Sequence, residues 1–296
     1  MIAIDSCPGL YCGRIISENG TLGDCGECPR GFRVNESSIC EQCSDSPQTY
    51  DFLYITFICI LPLVMHWYFI DACSKERTFS KNQIILMTSA FFEVFLSAVI
   101  SVFLIEPVGS FYINSCGVKK FSDWYTLFYN PSPNYEDKLY CTTEAVYPLQ
   151  TIVLIFYFFC LVTMMLVRPL LNRVFLRSGK FAVYSALYFL PLLTFLHAVA
   201  GGLIYYAFPY LSIIMSMISN ACHFAVKHDQ KAKTLLKSSV TEVRNILVIL
   251  GHWLLLAFGI LSLGQDYWLL IFVPSPSLFY IMTVQYTDPS EFPDNN

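Results

Sequence analysis

The chain has 296 residues, of which 55% are hydrophobic and only 14% are charged, and its formal net charge is −4 at pH 7. The charged share is about half of the roughly 25% that is usual in soluble domains, and the mean hydropathy is +0.52. Apolar runs approach the roughly 20 residues that cross a bilayer. These features exclude an ordinary soluble protein and predict an all-α polytopic membrane protein.

Residues 1–51 form a polar, cysteine-rich segment that precedes the first apolar run. Two glycosylation sequons, at Asn19 and Asn35, lie in it, and such sites are modified on the lumenal side of a membrane. Its two Cys-x-x-Cys pairs fit either zinc binding or disulfides. An even cysteine count in a small lumenal segment favours disulfides, with the connectivity left open. The six cysteines are Cys7, Cys12, Cys25, Cys28, Cys40 and Cys43.

Seven apolar stretches between residues 52 and 286 are long enough to be transmembrane helices. The 46 residues of 181–226 are too long for one span, so we expect a tight turn at Gly201-Gly202, with a re-entrant segment as the alternative. A short tail, 287–296, follows the last stretch. The predicted spans are 52–70, 84–105, 146–167, 182–200, 203–225, 246–263 and 268–286.

The distribution of lysine and arginine predicts the orientation. The connections 71–83, 168–180 and 227–245, taken with the tail, hold 12 basic and 7 acidic residues, whereas the opposite face holds 6 basic and 14 acidic. Arg168 is counted in the second of these connections. Because positively charged loops stay in the cytosol, the N-terminus is expected in the lumen and the C-terminus in the cytosol.

The loop 106–145 lies on the lumenal face in this topology and holds two further cysteines, Cys116 and Cys141. A disulfide between them would close a loop rich in aromatic and turn residues, and two unrelated free thiols are the alternative. The remaining cysteines, in or near the spans, are most simply read as small apolar residues. They are Cys59, Cys73, Cys160 and Cys222.

Glu93 lies near the middle of the second predicted span, where a carboxylate is energetically expensive. His66, His197 and His252 also lie within predicted spans, so a proton relay or metal site is one interpretation. The other is that Glu93 is bonded to a partner inside the helix bundle. The sequence carries no catalytic motif of a soluble enzyme, and we predict no catalytic residue, metal or cofactor.

The connection "KHDQKAKTLLKSSVTEVR" combines basic residues with a pair of leucines. Lys231, Lys233, Leu235 and Leu236 make a loose kinase-docking pattern. Anionic membrane lipid near a positively charged loop explains the same charges. Nothing in the sequence indicates nucleic-acid binding.

The stretches "SDWYTLFYNPSP" (122–133) and "CTTEAVYPL" (141–149) resemble the Jun-kinase-associated membrane protein (JAMP) family. Further similar stretches, among them "CPRGFR" (28–33), "MMLVRPLL" (164–171) and "GGLIYYAFPY" (201–210), follow in the expected order over nearly the whole chain. The resemblance implies a seven-span protein of the endoplasmic reticulum membrane.

The resemblance also implies the function. Members of the family recruit proteasomes and components of the degradation machinery, including ubiquitin ligases, when misfolded protein accumulates, and they associate with a Jun N-terminal kinase. The ten-residue tail has no basic residue, whereas kinase association is ascribed to the C-terminal part of the family. We therefore expect a non-enzymatic adaptor that shares proteasome recruitment more than kinase association.

Two other function classes remain as alternatives. A seven-helix receptor has the same helix number and an outward N-terminus, but the third span lacks an acid-arginine-aromatic triplet and the seventh lacks Asn-Pro-x-x-Tyr. A transporter of small solutes or ions would use Glu93 and the histidines, but transporters usually contain internal repeats, and none is visible here.

Overall fold

The computed structural model describes residues 6–72, 80–128, 139–174, 180–225, 227, 229–264 and 267–286. The described residues form two compact units, which divide between Tyr205 and Tyr206. Long helices dominate both units, and two small β-hairpins precede the first helix. The structure therefore confirms the all-α class. The predicted tail 287–296 and Cys73 lie outside the described residues.

Three helices and the first part of a fourth make up the helical portion of the first unit. Ser80 caps the second helix by accepting a hydrogen bond from the backbone of Gln83, whose side chain in turn accepts from the Ser80 backbone. The helices are α1 (Thr49–Ala72), α2 (Lys81–Leu104), α3 (Leu149–Val174) and α4 (Lys180–Ala225).

Helix α4 runs through the region in which a turn at Gly201-Gly202 was predicted. It has 46 residues, with one break in helical geometry at Ala200, where φ is −116° and ψ is 21°. At 1.5 Å per residue its contour is about 69 Å, roughly twice the hydrocarbon thickness of a bilayer. Two spans joined by this kink therefore stay a prediction, with the break one residue before the glycines.

The second unit contains α5 (Ala232–Thr241), α6 (Val243–Ser262) and α7 (Ser275–Thr283). In place of one continuous helix over 268–286, a 3-10 helix covers Tyr267–Phe272 and a turn separates it from α7. Pro274 and Pro276 explain the break, because a proline lacks the backbone N–H and its ring collides with the preceding helical turn.

Five of the described helices, α1, α2, α3, α4 and α6, are long and apolar enough to cross a membrane. The protein is therefore a multi-pass membrane protein. The count of seven spans stays a prediction, since it depends on the kink in α4 and on the short apolar helices after α6.

Among the described residues, four disulfides stabilise the N-terminal segment and the loop that follows α2. Two are local to the segment, and the other two connect Cys12 to Cys141 and Cys43 to Cys116. The predicted Cys116–Cys141 bridge is therefore wrong: each cysteine bonds to the N-terminal segment instead. We call the resulting body, residues 6–48 together with 105–128 and 139–148, the cap. The local bridges are Cys7–Cys25 and Cys28–Cys40.

The cap contains two antiparallel β-hairpins, and a glycine in the first hairpin leaves room for a disulfide. Strand β1 (Cys12–Gly13) pairs with β2 (Gly26–Glu27), and β3 (Phe32–Val34) pairs with β4 (Cys40–Gln42). A β-carbon at Gly13 would lie 2.7 Å from the sulfur of Cys40. Only glycine therefore fits beside the Cys28–Cys40 bridge.

Arg33 and Asp123 form an ion pair across the two parts of the cap, at 2.8 Å. Arg33 also donates to the carbonyl oxygens of Gly117 and Ala145, and Asp123 accepts from the hydroxyl of Tyr11. Burial raises the pKa of Tyr11 to about 12. The segment and the loop thus share one polar network as well as two covalent bonds.

Peptide mapping without reduction should recover the four disulfides of the cap. We also expect Cys12→Ser to lower the free energy of unfolding by about 2–5 kcal/mol, because the Cys12–Cys141 bridge links distant parts of the chain. The matched control is Cys222→Ser, since Cys222 is an exposed free thiol and its loss should change little. A recovered peptide that links Cys116 to Cys141 would contradict the connectivity.

Candidate functional site

A buried ion pair joins α2 to α3 inside the first unit. The Nε and Nη2 atoms of Arg168 lie 3.0 Å from Glu93 Oε2, and Ser89 donates to Glu93 Oε1 at 2.6 Å. Arg168 is 0% exposed and Glu93 is 3% exposed. The placement of Arg168 in a positively charged connection was therefore wrong, because α3 continues to Val174 and carries the arginine inward.

Arg168 also binds α1 and α4. One guanidinium nitrogen donates to the carbonyl oxygen of Ala182 at 3.1 Å, and another lies 2.9 Å from Nδ1 of His66. Since a guanidinium can only donate, Nδ1 of His66 accepts and the imidazole proton resides on Nε2. Arg168, on α3, therefore contacts α1, α2 and the first part of α4.

Hydroxyl groups extend this polar seam along the α2–α3 interface. Ser97 lies 3.1 Å from the hydroxyl of Thr163, and both also donate to backbone carbonyl oxygens within their own helices. Ser101 continues the row one turn further on by donating to Ser97. Such small polar residues let two helices approach closely within a membrane.

The other predicted histidines lie elsewhere. His197 on α4 is hydrogen-bonded through Nδ1 to the hydroxyl of Tyr54, at 3.1 Å. His252 on α6 belongs to the second unit and is bonded to Ser219, at 3.0 Å. Of the three predicted histidines, only His66 contacts the charge pair directly, so the structure does not assemble a relay of Glu93 with all three. The carboxylate is instead saturated by Arg168 and Ser89.

Trp124 anchors the cap to the bend of α4. Its ring packs against Tyr54 and Tyr205, with ring centroids 5.9 and 5.2 Å apart. A β-carbon at Gly202 would lie 2.8 Å from Trp124 Cβ, so glycine is needed for this approach. Gly201 and Gly202, which were predicted to turn the chain, thus leave room for the Trp124 side chain to pack against α4.

A polar cleft of about 320 Å³ lies between the cap and the first turns of α3. At its floor, Glu144 accepts hydrogen bonds from the backbone of Gln150 and Thr151, at 2.9 and 2.8 Å, and from the Thr151 hydroxyl. Glu144 therefore caps α3 from five residues before its start. Burial raises the pKa of the Glu144 carboxyl, and its hydrogen bonds with Thr151 and Gln150 act in the opposite direction.

The two sequons differ in their surroundings. Asn19 is exposed in a turn. Asn35 is half-buried: its Nδ2 donates to Glu41 at 2.8 Å, and its Oδ1 accepts from the backbone of Ser37 and Ile39. Of the two side-chain amides, that of Asn19 is the more accessible.

The predicted docking residues divide between the interior and the surface of the second unit. Leu235 is 1% exposed and packs with Phe224, Ile249 and Ile281, so it cannot contact a partner. Leu236, the next residue of α5, is 51% exposed, and Lys231 and Lys233 are also exposed. Of the predicted docking residues, Lys231, Lys233 and Leu236 are therefore accessible to a partner, and Leu235 is not.

Among the residues that the structure describes, no three histidine, cysteine, aspartate or glutamate side chains group in a way that could hold a metal ion. The sequence interpretation missed Arg168, Glu144 and Trp124 as organising residues. For Arg168 a signal was present: "LVRPLL" continues an apolar run beyond the predicted end of the span. Glu144 and Trp124 had no local signal, because their partners are distant or lie across a chain reversal.

We expect Glu93→Met to lower the free energy of unfolding by about 3–5 kcal/mol, because it leaves the Arg168 guanidinium buried without a counter-charge. The double variant Glu93→Met/Arg168→Met should recover most of this loss, since apolar side chains can replace a buried ion pair. The wild type, the two single variants Glu93→Met and Arg168→Met, and the double variant form a double-mutant cycle. Their stabilities are measured by thermal unfolding of the purified full-length protein. If the losses of stability in the two single variants simply add up in the double variant, the two residues are not coupled. If the Glu93 variant instead loses solute flux while its abundance stays normal, a transport function is favoured.

The chain is similar over most of its length to known proteins of one family. The family model described as JNK1/MAPK8-associated membrane protein matches residues 7–289. The proteins of that name from Homo sapiens and Mus musculus are each 44% identical to this chain over 300 residues, covering 96% of it and 94% of the relative. A homologue from Caenorhabditis elegans is 30% identical over 279 residues, covering 91% of the chain and 85% of the relative.

No solved structure matches the chain. The family match spans the cap, the buried ion pair and the helix α5 alike. By this match and by its identity to three full-length relatives, the chain belongs to the JNK1/MAPK8-associated membrane protein family.

Proposed function

We propose that the protein is a non-enzymatic adaptor of the endoplasmic reticulum membrane that recruits proteasomes and ubiquitin-ligase components for the clearance of misfolded proteins. Family membership carries the proposal, since the sequence resembles members with this role. The relatives are named for association with JNK1, and their name describes a partner rather than a reaction. The kinase is accordingly a second candidate partner.

The helix α5 is the element best suited to meet such a partner. Leu235 fixes its inner face, whereas Lys231 at its N-cap, and Lys233 and Leu236 in its first turns, are exposed. A basic surface with one apolar anchor is typical of contacts in which charge directs the encounter and a buried side chain supplies affinity. In the proposed topology this face is cytosolic, where proteasomes and kinases are found.

The lumenal cap supports the same orientation. Its four disulfides form in oxidising compartments such as the endoplasmic reticulum lumen and are rare in the cytosol. The basic connections then lie on the other side of the membrane, as positively charged loops usually do. The cap and α5 thus occupy opposite sides in this proposal.

Glycosidase digestion of the expressed protein tests the orientation. We expect a high-mannose glycan, most of which is lost in Asn19→Gln, because the Asn19 amide is exposed and that of Asn35 is engaged with Glu41. Asn35→Gln is the matched variant and should remove the smaller share. If the protein is not glycosylated and a thiol reagent added from the cytosol labels its N-terminal segment, the orientation is the reverse of the one proposed.

Recruitment is tested by purifying the tagged full-length protein from cells under misfolded-protein load and measuring co-purified proteasome and JNK1. We expect Lys233→Glu/Leu236→Ser to reduce the proteasome signal at least about fivefold, the effect of losing roughly 1 kcal/mol of binding energy. Equal signals would exclude α5 as the docking element.

The matched control for this experiment is Lys119→Glu/Leu127→Ser, which changes an exposed lysine and an exposed leucine of the cap instead. It should leave recruitment unchanged. If neither variant nor wild type retains proteasomes while JNK1 is retained, kinase association replaces proteasome recruitment as the function.

A further inference from the structure

The cleft between the cap and α3 is separate from the ion pair and from α5, and neither proposed activity uses it. It is lined by Glu27, Arg30 and Thr142 at its rim, and Trp124, Thr126 and Gln150 also contribute to its wall. Its volume of about 320 Å³ is at the lower end of the range for small-ligand sites. A single small ligand, or the end of a larger one, would fill it.

The carboxylates of the cleft, Glu27, Asp123 and Glu144, outnumber its one arginine, Arg30, but each carboxylate already has a partner. Asp123 is paired with Arg33, and Glu144 is occupied by the start of α3. Because Glu144 already satisfies the N–H groups of Gln150 and Thr151, the start of α3 does not offer them to an anion. Glu27 at the rim accepts from Thr142 at 3.0 Å. The site therefore favours a neutral ligand over a phosphate or a metal cation.

Several hydrogen-bonding groups of the cleft remain unused. Trp124 is 5% exposed, yet its Nε1–H has no hydrogen-bond partner among the described residues. A buried donor left unpaired is costly. Thr126 and Gln150 add groups that both donate and accept. The Trp124 ring and Leu154 add apolar surface to this wall.

We propose that this cleft binds a neutral, hydroxyl-rich ligand, the terminal hexose units of an oligosaccharide. Sugar hydroxyls donate and accept at once, which matches the mixture of donors and acceptors on the wall, and the apolar face of a sugar ring can pack on the Trp124 ring and Leu154. An apolar peptide side chain would leave the donors and acceptors of the wall unpaired. The identification of the ligand's source as glycans of lumenal proteins rests on the proposed function, whereas binding itself rests on the cleft alone.

The test is saturation-transfer NMR on the full-length protein in lipid nanodiscs, which avoids detergents with sugar headgroups. The probes are mannobiose, maltose and lactose, with a neutral, end-blocked tripeptide for comparison. At least one disaccharide should give a saturable signal. Arg30→Met/Gln150→Leu should weaken its affinity about tenfold, as expected for one lost hydrogen bond. Thr126→Val, which removes only a hydroxyl, should also weaken it.

The control is Glu36→Gln/Lys119→Gln, which changes two exposed cap residues outside the cleft and should bind as the wild type does. No saturable disaccharide signal, or equal affinity in the cleft variants, overturns the proposal, and a signal from the tripeptide alone replaces the sugar with a peptide backbone. Because binding is measured on the purified chain, a negative result leaves the recruitment experiment untouched.

Discussion

The structure depends first on the covalent joining of the N-terminal segment to the loop after α2. The Cys12–Cys141 and Cys43–Cys116 bridges span 129 and 73 residues, so they fix parts of the chain that local interactions cannot bring together. So small a polar body could not bury enough apolar surface to fold alone. With the bridges in place, Trp124 is held against the bend of α4, and the polar cleft has two walls.

Among the helices, the Arg168–Glu93 ion pair joins distant parts of the chain without a covalent bond, as the disulfides do covalently in the cap. Removing two charges from water costs several kcal/mol per ion, and only close geometry with further hydrogen bonds returns that free energy. Here Ser89, His66 and the Ala182 carbonyl complete the set of partners. These partners lie on α1, α2 and α4, so the pair links α3 to each of the other helices that contribute to the first unit.

These two constraints leave the outward surfaces of the protein available for partners. The cap presents a cleft whose hydrogen-bonding groups are partly unused, and α5 presents lysines beside one exposed leucine. The proposed adaptor function needs such exposed elements, at which other proteins can bind. Family membership identifies the class of protein, and the geometry indicates where contacts can form.

The amino-acid sequence by itself determined the membrane class, the helical architecture and the presence of a disulfide-bonded segment, because length, hydropathy and cysteine spacing are local properties. It also singled out Glu93 as an unusual buried acid. Only the tertiary structure decided its partner, since Arg168 lies 75 residues away and reads locally as a loop charge. The pairing of Cys116 and Cys141 with the N-terminal segment, and the burial of Leu235 beside an exposed Leu236, were likewise decided by packing. Each depends on which surfaces meet in space, and neither spacing nor periodicity records that.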